Sequence, residues 1–321
     1  MSVSTTSAPS LCVVICCYTD DRWDLLVRSI EAALQQVNER DELLVVVDHN
    51  PPLRERLARH LSDPRVRLLG NAEGPGLSGA RNTGLGAAAG DVIVFLDDDA
   101  VILGGALAVL RARFSDPAVT AIGGAVHPDW TTGAPGWFPA EFGWVVGCDY
   151  RGLPGDGGAL RNPIGAAMAV RRDPLAAIGG FSAQLGRTGT FPAGCEETLM
   201  GIALRREDPQ AGIVRETGFA VRHCVPAERG TWRYFTRRCY QEGRSKAVLA
   251  GLSSTGEALS SERAYALRVL TSGLWRYRTH PAAAAAVVVG FACTAAGFIA
   301  GTLTSLHHRQ SAATPHREDL K

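Results

Sequence analysis

Short, uninterrupted apolar runs alternate with amphipathic stretches through the first hundred residues. Leu11–Cys17 is wholly apolar, the pattern of a strand buried on both faces. Asp24–Gln36 follows with apolar residues at helical spacing, and Asp24 stands where a helix cap is expected. Leu43–Val47 repeats the strand pattern and stops at Asp48-His49-Asn50-Pro51-Pro52. Leu53–Leu61 predicts a short helix and Val66–Leu69 a third strand. A Gly-rich loop, Gly74–Gly79, leads into a helix through Ala89. Val92–Leu96 then predicts a fourth strand running straight into Asp97-Asp98-Asp99. Strands alternating with helices predict a parallel, doubly wound α/β sheet with helices on both faces. In such sheets ligands bind beyond the carboxyl ends of the strands. Tyr18, Asp48, the Gly-rich loop and the Asp triplet all fall at those ends.

The second half is less regular. Residues 127–160 have the Gly, Pro and Trp content of loops. Arg161–Arg172 has an apolar centre between basic residues, and Phe181–Gly194 is another Gly-rich stretch. Glu196–Arg206 reads as helical, and Arg229–Leu252 is basic with interleaved aromatics. Pro281–Leu306 carries no charged residue, and its ~26 residues exceed the ~20 that span a bilayer. A membrane-inserted helix is expected there; the rival is an Ala-rich helix buried in a soluble fold. Gly297 and Gly301 have the G-x-x-x-G spacing that lets two helices pack closely, so self-association as a homodimer is worth testing. Upstream, Arg263–His280 mixes Arg with Tyr, Leu and Trp, as an interfacial helix does.

Apolar residues make up 46% and charged residues 20%, which fits a folded chain. The net charge of +1 offers no global attraction for nucleic acid. Eight cysteines occur without a C-x-x-C pair or zinc-like spacing. They are expected to be reduced, buried and hydrophobic in role.

Three carboxylates at the end of a buried strand, Asp97, Asp98 and Asp99, repel one another and lose hydration. A hard divalent ion, Mg²⁺ or Mn²⁺, compensates such a cluster, and it usually completes its shell with substrate phosphates. The Gly-rich loop is a literal G-x-G-x-x-G, so an NAD- or FAD-binding oxidoreductase is the main rival reading. Against it, two strand–helix pairs precede the loop, and the next strand ends in three acids rather than one. Its alternative role is a tight turn that brings Arg81 and Asn82 to a nucleotide. Glu196 and Glu197 offer a general base beside a metal-bound diphosphate, or simply acids favoured at a helix start. His223 is a third metal ligand or a structural histidine. The run from Arg229 to Lys246 binds phosphate or forms a solvated helix face. A nucleotidyltransferase and a non-catalytic scaffold are further alternatives.

These motifs have a familiar order: Val13-Val14-Ile15-Cys16-Cys17-Tyr18, Val45-Val46-Val47-Asp48, Gly76-Leu77-Ser78-Gly79-Ala80-Arg81-Asn82, Gly90-Asp91 and Phe95-Leu96-Asp97-Asp98-Asp99. With Gly179-Gly180-Phe181 and Cys195-Glu196-Glu197-Thr198, they resemble family 2 glycosyltransferases over roughly residues 10–250. The resemblance implies a GT-A-like, doubly wound mixed sheet. It also implies roles: Tyr18 and Asp48 at the nucleobase, Arg81 near the nucleotide, and Asp97 and Asp98 toward the nucleotide sugar. Asp97 and Asp99 match the ends of the D-x-D motif, with Asp99 as direct metal ligand and His223 as a further ligand. Glu197 is the implied base, with Glu196 as its neighbour and rival. The sequence departs from the family in having Glu197 where Asp is usual, and in ending its second strand with Asp48-His49-Asn50. Other segments, including His127-Pro128-Asp129-Trp130 and Arg161-Asn162-Pro163, resemble a subgroup with archaeal hexuronosyltransferases that extend dolichyl-phosphate-linked sugars.

The resemblance implies an inverting, metal-dependent transferase that moves a sugar from a nucleotide diphosphate to a glycan or polyprenyl-linked acceptor. The implied division is a disordered 1–10, a nucleotide-sugar half over 11–126, and an acceptor and catalytic half over 127–252. C-terminal helices over 253–306, with a membrane helix at 281–306, and a tail over 307–321 complete it. No signal-peptide pattern opens the chain, so the catalytic part is expected on the cytoplasmic face of the cell membrane, anchored by one C-terminal helix.

Overall fold

All seven residues of β1 (Leu11–Cys17) are buried, as its uninterrupted apolar run demands. The computed structural model describes residues 8–182, 195–252, 273 and 275–313. Residues 1–7, 183–194, most of 253–274 and 314–321 lie outside it. With them go most of the Gly-rich stretch Phe181–Gly194, most of the Arg263–His280 segment, and parts of the N-terminal and tail assignments.

The strands are β1, β2 (Glu42–Val47), β3 (Val66–Gly70), β4 (Val92–Asp97), β5 (Ala100–Ile102), β6 (Val119–Trp130), β7 (Ala167–Arg171) and β8 (Gly212–Val225). The helices are α1 (Trp23–Leu34), α2 (Pro51–His60), α3 (Leu77–Ala87), α4 (Ala106–Arg113), α5 (Arg172–Ala177), α6 (Glu196–Glu207), α7 (Trp232–Leu252) and α8 (Pro281–Ala313). One sheet runs β3-β2-β1-β4-β7-β6-β8-β5. β3, β2, β1 and β4 are mutually parallel. β7 runs antiparallel to both β4 and β6, β8 parallel to β6, and β5 antiparallel to β8. The sheet is therefore mixed. Periodicity alone pointed to an all-parallel sheet, because a strand covered on both faces reads as the same apolar run whichever way it points.

Side chains alternate across the sheet. Leu11, Val13, Ile15 and Cys17 of β1 join Leu26 and Ile30 of α1, Leu53 and Leu57 of α2, and Leu107 and Leu110 of α4. Cys12, Val14 and Cys16 face the other way, toward Ala80 of α3, Leu175 of α5, and Met200 and Leu204 of α6. Full burial of each large aliphatic side chain stabilises by about 1.5–3 kcal/mol, so this two-sided core holds the strand ends rigidly.

Three local expectations change. α1 starts at Trp23, after a 3-10 turn over Asp20–Arg22 whose cap is Thr19; its Oγ1 accepts the Asp21 N–H at 3.2 Å. Asp24 therefore sits inside the first turn, where it favours the helix dipole without capping it. The last residues of the Gly-rich stretch already belong to α3, and a Cβ on Gly79 would overlap the Gly74 carbonyl oxygen. His127–Trp130, expected as loop, completes β6. Among the described residues all eight cysteines are free; six are buried, and Cys224 and Cys293 are partly exposed. Burial pushes the Cys16 thiol up to about 12, so it is inert at neutral pH.

α7 and α8 lie side by side and run in the same direction. Gly290 meets Phe235, Gly297 meets Tyr240 and Gly301 meets Ala247. A Cβ on Gly297 would overlap the Tyr240 carbonyl oxygen, and one on Gly243 would overlap that of Thr294. The G-x-x-x-G spacing is thus used inside the chain, against α7, and does not supply a free face for a second copy. Pro281–Thr304 is long and apolar enough to cross a membrane, and most of it is not buried inside the protein.

Candidate active site

β1, β2 and β4 run in register and parallel, so Tyr18, Asp48 and Asp97 emerge on one edge. The chain order reverses direction between β1 and β4, which opens a crevice there. At the β2 end, Asp48 Oδ2 accepts the Gly76 N–H at 2.8 Å, and Oδ1 accepts Asn71 Nδ2 at 2.6 Å. His49 Nδ1 lies 2.9 Å from the same Oδ1. Asn50 caps α2 by accepting the Leu53 N–H at 3.1 Å and donates Nδ2 to the Tyr18 carbonyl at 2.9 Å. The Tyr18 ring is left 55% exposed at the mouth. Asp48 thus ties the Gly-rich loop to β2. That loop follows β3, the edge strand, and the Asp48 carboxylate takes its Gly76 N–H. A dinucleotide fingerprint keeps such N–H groups for a pyrophosphate.

Asp97 is half-buried, while Asp98 and Asp99 are each 4% exposed. His223 reaches them from far along the chain because β5 pairs with β8, setting Ala100 opposite His223. His223 Nε2 then stands 3.1 Å from Asp99 Oδ1. One donor atom each from Asp97, Asp99 and His223 lie within 4.8 Å of one another, a group able to hold a metal ion. Behind the imidazole, the Cys148 sulfur lies 3.4 Å from Nδ1 and 3.7 Å from the Val146 carbonyl.

Arg22 is the residue that sequence reading missed. Its Nη1 donates to Asp98 Oδ1 at 2.6 Å and to Asp99 Oδ2 at 3.1 Å, and its Nη2 reaches the Tyr18 hydroxyl at 3.3 Å. An Arg in the run Asp20-Asp21-Arg22 reads as a solvated surface charge, and no local pattern marks it otherwise. Arg229 Nη2 adds a further cation 3.8 Å from Asp99 Oδ2. Burial pushes the Asp99 carboxyl up, but the hydrogen bond and charge of His223, with Arg22 and Arg229, outweigh burial and hold it well below the usual range. Burial and the neighbouring acids push Asp98 the other way, against the pull of Arg22. Among the described residues its buried Oδ2 has no hydrogen-bond partner. Asp98, expected at the nucleotide sugar, faces inward toward Arg22.

Arg81 is the second hub. It is buried, 5.9 Å from the Phe95 ring centre and 5.3 Å from that of Phe181. Its Nη1 donates to Glu196 Oε1 at 2.8 Å and Glu197 Oε1 at 3.1 Å, and Nη2 lies 3.7 Å from Asp97 Oδ1. The guanidinium therefore links the acid pair at the start of α6 to the triplet. Cys195 makes the entry to α6 with a left-handed φ of 77°. Gly165 makes the approach possible, since a Cβ there would overlap Glu197 Oε1 and crowd Arg81 Nη2. Asn82 pins the next segment by exchanging two 2.8 Å hydrogen bonds with the Phe181 backbone.

Comparisons with known proteins bear on the family and the fold. Residues 12–179 match the family described as Glycosyl transferase family 2. The chain is similar to a glucosyl-dolichyl phosphate glucuronosyltransferase of Haloferax volcanii, 31% identical over 74% of this chain and 76% of that protein. It also resembles a UDP-Glc:alpha-D-GlcNAc-diphosphoundecaprenol beta-1,3-glucosyltransferase of Escherichia coli, 41% identical over 22% of this chain and 28% of that one. In fold it is similar to a mannosyltransferase of Pyrobaculum calidifontis solved with GDP-Man and Mn²⁺. The TM-score is 0.59 at 18% identity, over 97% of this chain and 83% of that one. The mixed sheet is GT-A-like, and the oxidoreductase reading falls away. This chain belongs to glycosyl transferase family 2.

Proposed function

We propose that this glycosyltransferase moves a sugar from a nucleoside diphosphate to a hydroxyl of a polyprenyl-linked glycan, with inversion, at a membrane surface. The observation that carries the reading is the meeting of two groups at one sheet edge. Asp97, Asp99 and His223 converge there, and Arg81 joins Asp97 to Glu196 and Glu197. Names of relatives support the acceptor class: one relative acts on a dolichyl phosphate sugar and another on a diphosphoundecaprenol sugar.

Two carboxylates and an imidazole suit Mn²⁺ or Mg²⁺, and the packed acids with an unpartnered Asp98 oxygen fit a site that expects more positive charge. When bound, a divalent ion there supplies charge stabilisation for the leaving diphosphate. The remaining work falls to the chain. With an ion held there, His223 would give up its Nε2 proton, keep the one on Nδ1 directed at the Cys148 sulfur, and offer Nε2 as a ligand atom beside Asp97 and Asp99. Tyr18 and Asp48 border the nucleobase end. Arg81 holds both glutamates in place. Glu197, with 18% of its side chain exposed against 4% for Glu196, is the one able to meet an acceptor hydroxyl and take its proton. The hydroxyl then attacks the anomeric carbon from the face opposite the diphosphate.

The test is a donor panel of UDP-, GDP- and dTDP-sugars with Mn²⁺, Mg²⁺ or chelator, read by NMR of the product's anomeric centre. One nucleotide active only with a divalent ion, giving an inverted linkage, supports the proposal. Retention of configuration or metal-free turnover overturns it.

A further inference from the structure

We propose that α8 anchors the enzyme by lying in the plane of the membrane, half sunk in one leaflet, rather than by crossing it. The proposal rests on the reading that the enzyme works at a membrane. It starts from the α7–α8 pair. Ala283, Ala286, Val287, Gly290, Gly297 and Gly301 of α8 are all buried against the rest of the protein. From Ala283 to Gly301 the helix rises about 27 Å at about 1.5 Å per residue, nearly the ~30 Å of the hydrocarbon core. A crossing helix would take whatever it packs against into the bilayer with it.

The seam itself is apolar side chains and backbone, but the helix that would be carried along bears charges. α7 carries Arg233, Arg237, Arg238, Glu242, Arg244 and Lys246. Arg238 and Glu242 pair at 3.0 Å, and Lys246 lies 3.8 Å from Glu242. The stretch from Phe235 to Ala247 that meets Gly290 to Gly301 holds five of those six charges. Charged groups at mid-membrane depth are rare and costly. Phe142, in the 3-10 turn over Ala140–Val146, also closes on Gly290, so the catalytic body itself borders α8.

The opposite face of α8 is exposed and apolar. Val288, Ala292, Ala295, Ile299 and Leu303 repeat at helical spacing, with Val288 49%, Ile299 60% and Leu303 54% exposed. Arg233 and Arg237 on α7 are exposed as well. Just before α8, Trp275 is 70% exposed, with the Arg278 guanidinium 4.5 Å from its ring centre. An apolar stripe with tryptophan and arginine beside it matches the boundary between acyl chains and anionic headgroups. A bilayer surface, not a second copy, is therefore the assigned occupant. The bound acceptor would then meet the sheet edge at headgroup level, because α7 begins just after Arg229, which reaches Asp99.

The experiment uses the full chain with an epitope at each end, expressed in cells and recovered in inside-out and right-side-out vesicles. Protease is added with and without detergent. In-plane anchoring is expected to leave the protein in the membrane fraction with both epitopes cleaved in the same vesicle preparation. Epitopes cleaved in opposite preparations mean that α8 crosses, which overturns the proposal while keeping membrane attachment. Recovery in the soluble fraction, as monomer or dimer, overturns both. The double substitution Ile299→Glu and Leu303→Glu is expected to lower the membrane-bound to soluble ratio roughly tenfold or more, with donor hydrolysis in solution unchanged. An unchanged ratio removes the stripe from the interface.

Discussion

Asp99 meets His223, Arg22 and Arg229 at once, so its substitution is expected to be the most damaging at the site. Asp99→Asn should remove nearly all turnover in a donor-consumption assay. It should also alter the acid limb of the metal-free protein. A carboxyl held below its ordinary pKa stabilises the fold above about pH 4, and that contribution drains as pH falls through the lower folded value. Urea midpoints should therefore fall less steeply in Asp99→Asn than in the parent as pH is lowered from about 4. Glu197→Gln should lower kcat by roughly 10²–10⁴ with donor affinity retained. Normal turnover in that variant would move the base to Glu196. Gly165→Ala tests the geometry between them. Its new methyl overlaps Glu197 Oε1 and crowds Arg81 Nη2, so kcat should drop, measured at saturating nucleotide sugar.

At the scale of elements, the seam between α7 and α8 depends on backbones in contact. Gly243 and Gly297 each face a carbonyl oxygen across it, and no rotamer change can relieve a Cβ there. Gly243→Val is expected to destabilise by about 1–3 kcal/mol, as overpacking in well-packed interiors does. Differential scanning calorimetry should show the loss as a lower Tm. The same substitution at Gly74 or Gly136, where a Cβ meets nothing within 4 Å, is the control. The strand ends behave differently, because β1, β2 and β4 are clamped by core on both faces and hold their terminal residues without help from loops.

For the whole molecule, the expectation is that nucleotide and metal stabilise only together. The acid group needs a cation, and the diphosphate completes the cation's shell. A thermal-shift titration of each nucleotide sugar with Mn²⁺ should raise Tm for one base, equivalent to about 2.7 kcal/mol at a hundredfold excess over Kd. Chelator should abolish the shift. A shift with nucleotide alone would mean that Arg22, Arg81 and Arg229 bind the diphosphate without a metal.

The apolar runs determined β1 to β4, their helices and the edge on which Tyr18, Asp48, Arg81 and the Asp triplet gather, because burial on both faces leaves an unmistakable local pattern. The resemblance of the motifs added the family and the pairing of His223 with Asp99 in one site. Strand direction stayed invisible, since a doubly buried strand has no sidedness to read. So did Arg22, whose neighbours in sequence are solvent-facing acids while its partners are buried ones. The glycines of α8 announced close packing but not the partner; that required the fold, which brought α7 alongside and left the other face of α8 bare. Periodicity records which faces of an element are buried, whereas contacts between distant segments depend on where the chain returns, and only the assembled sheet decides that.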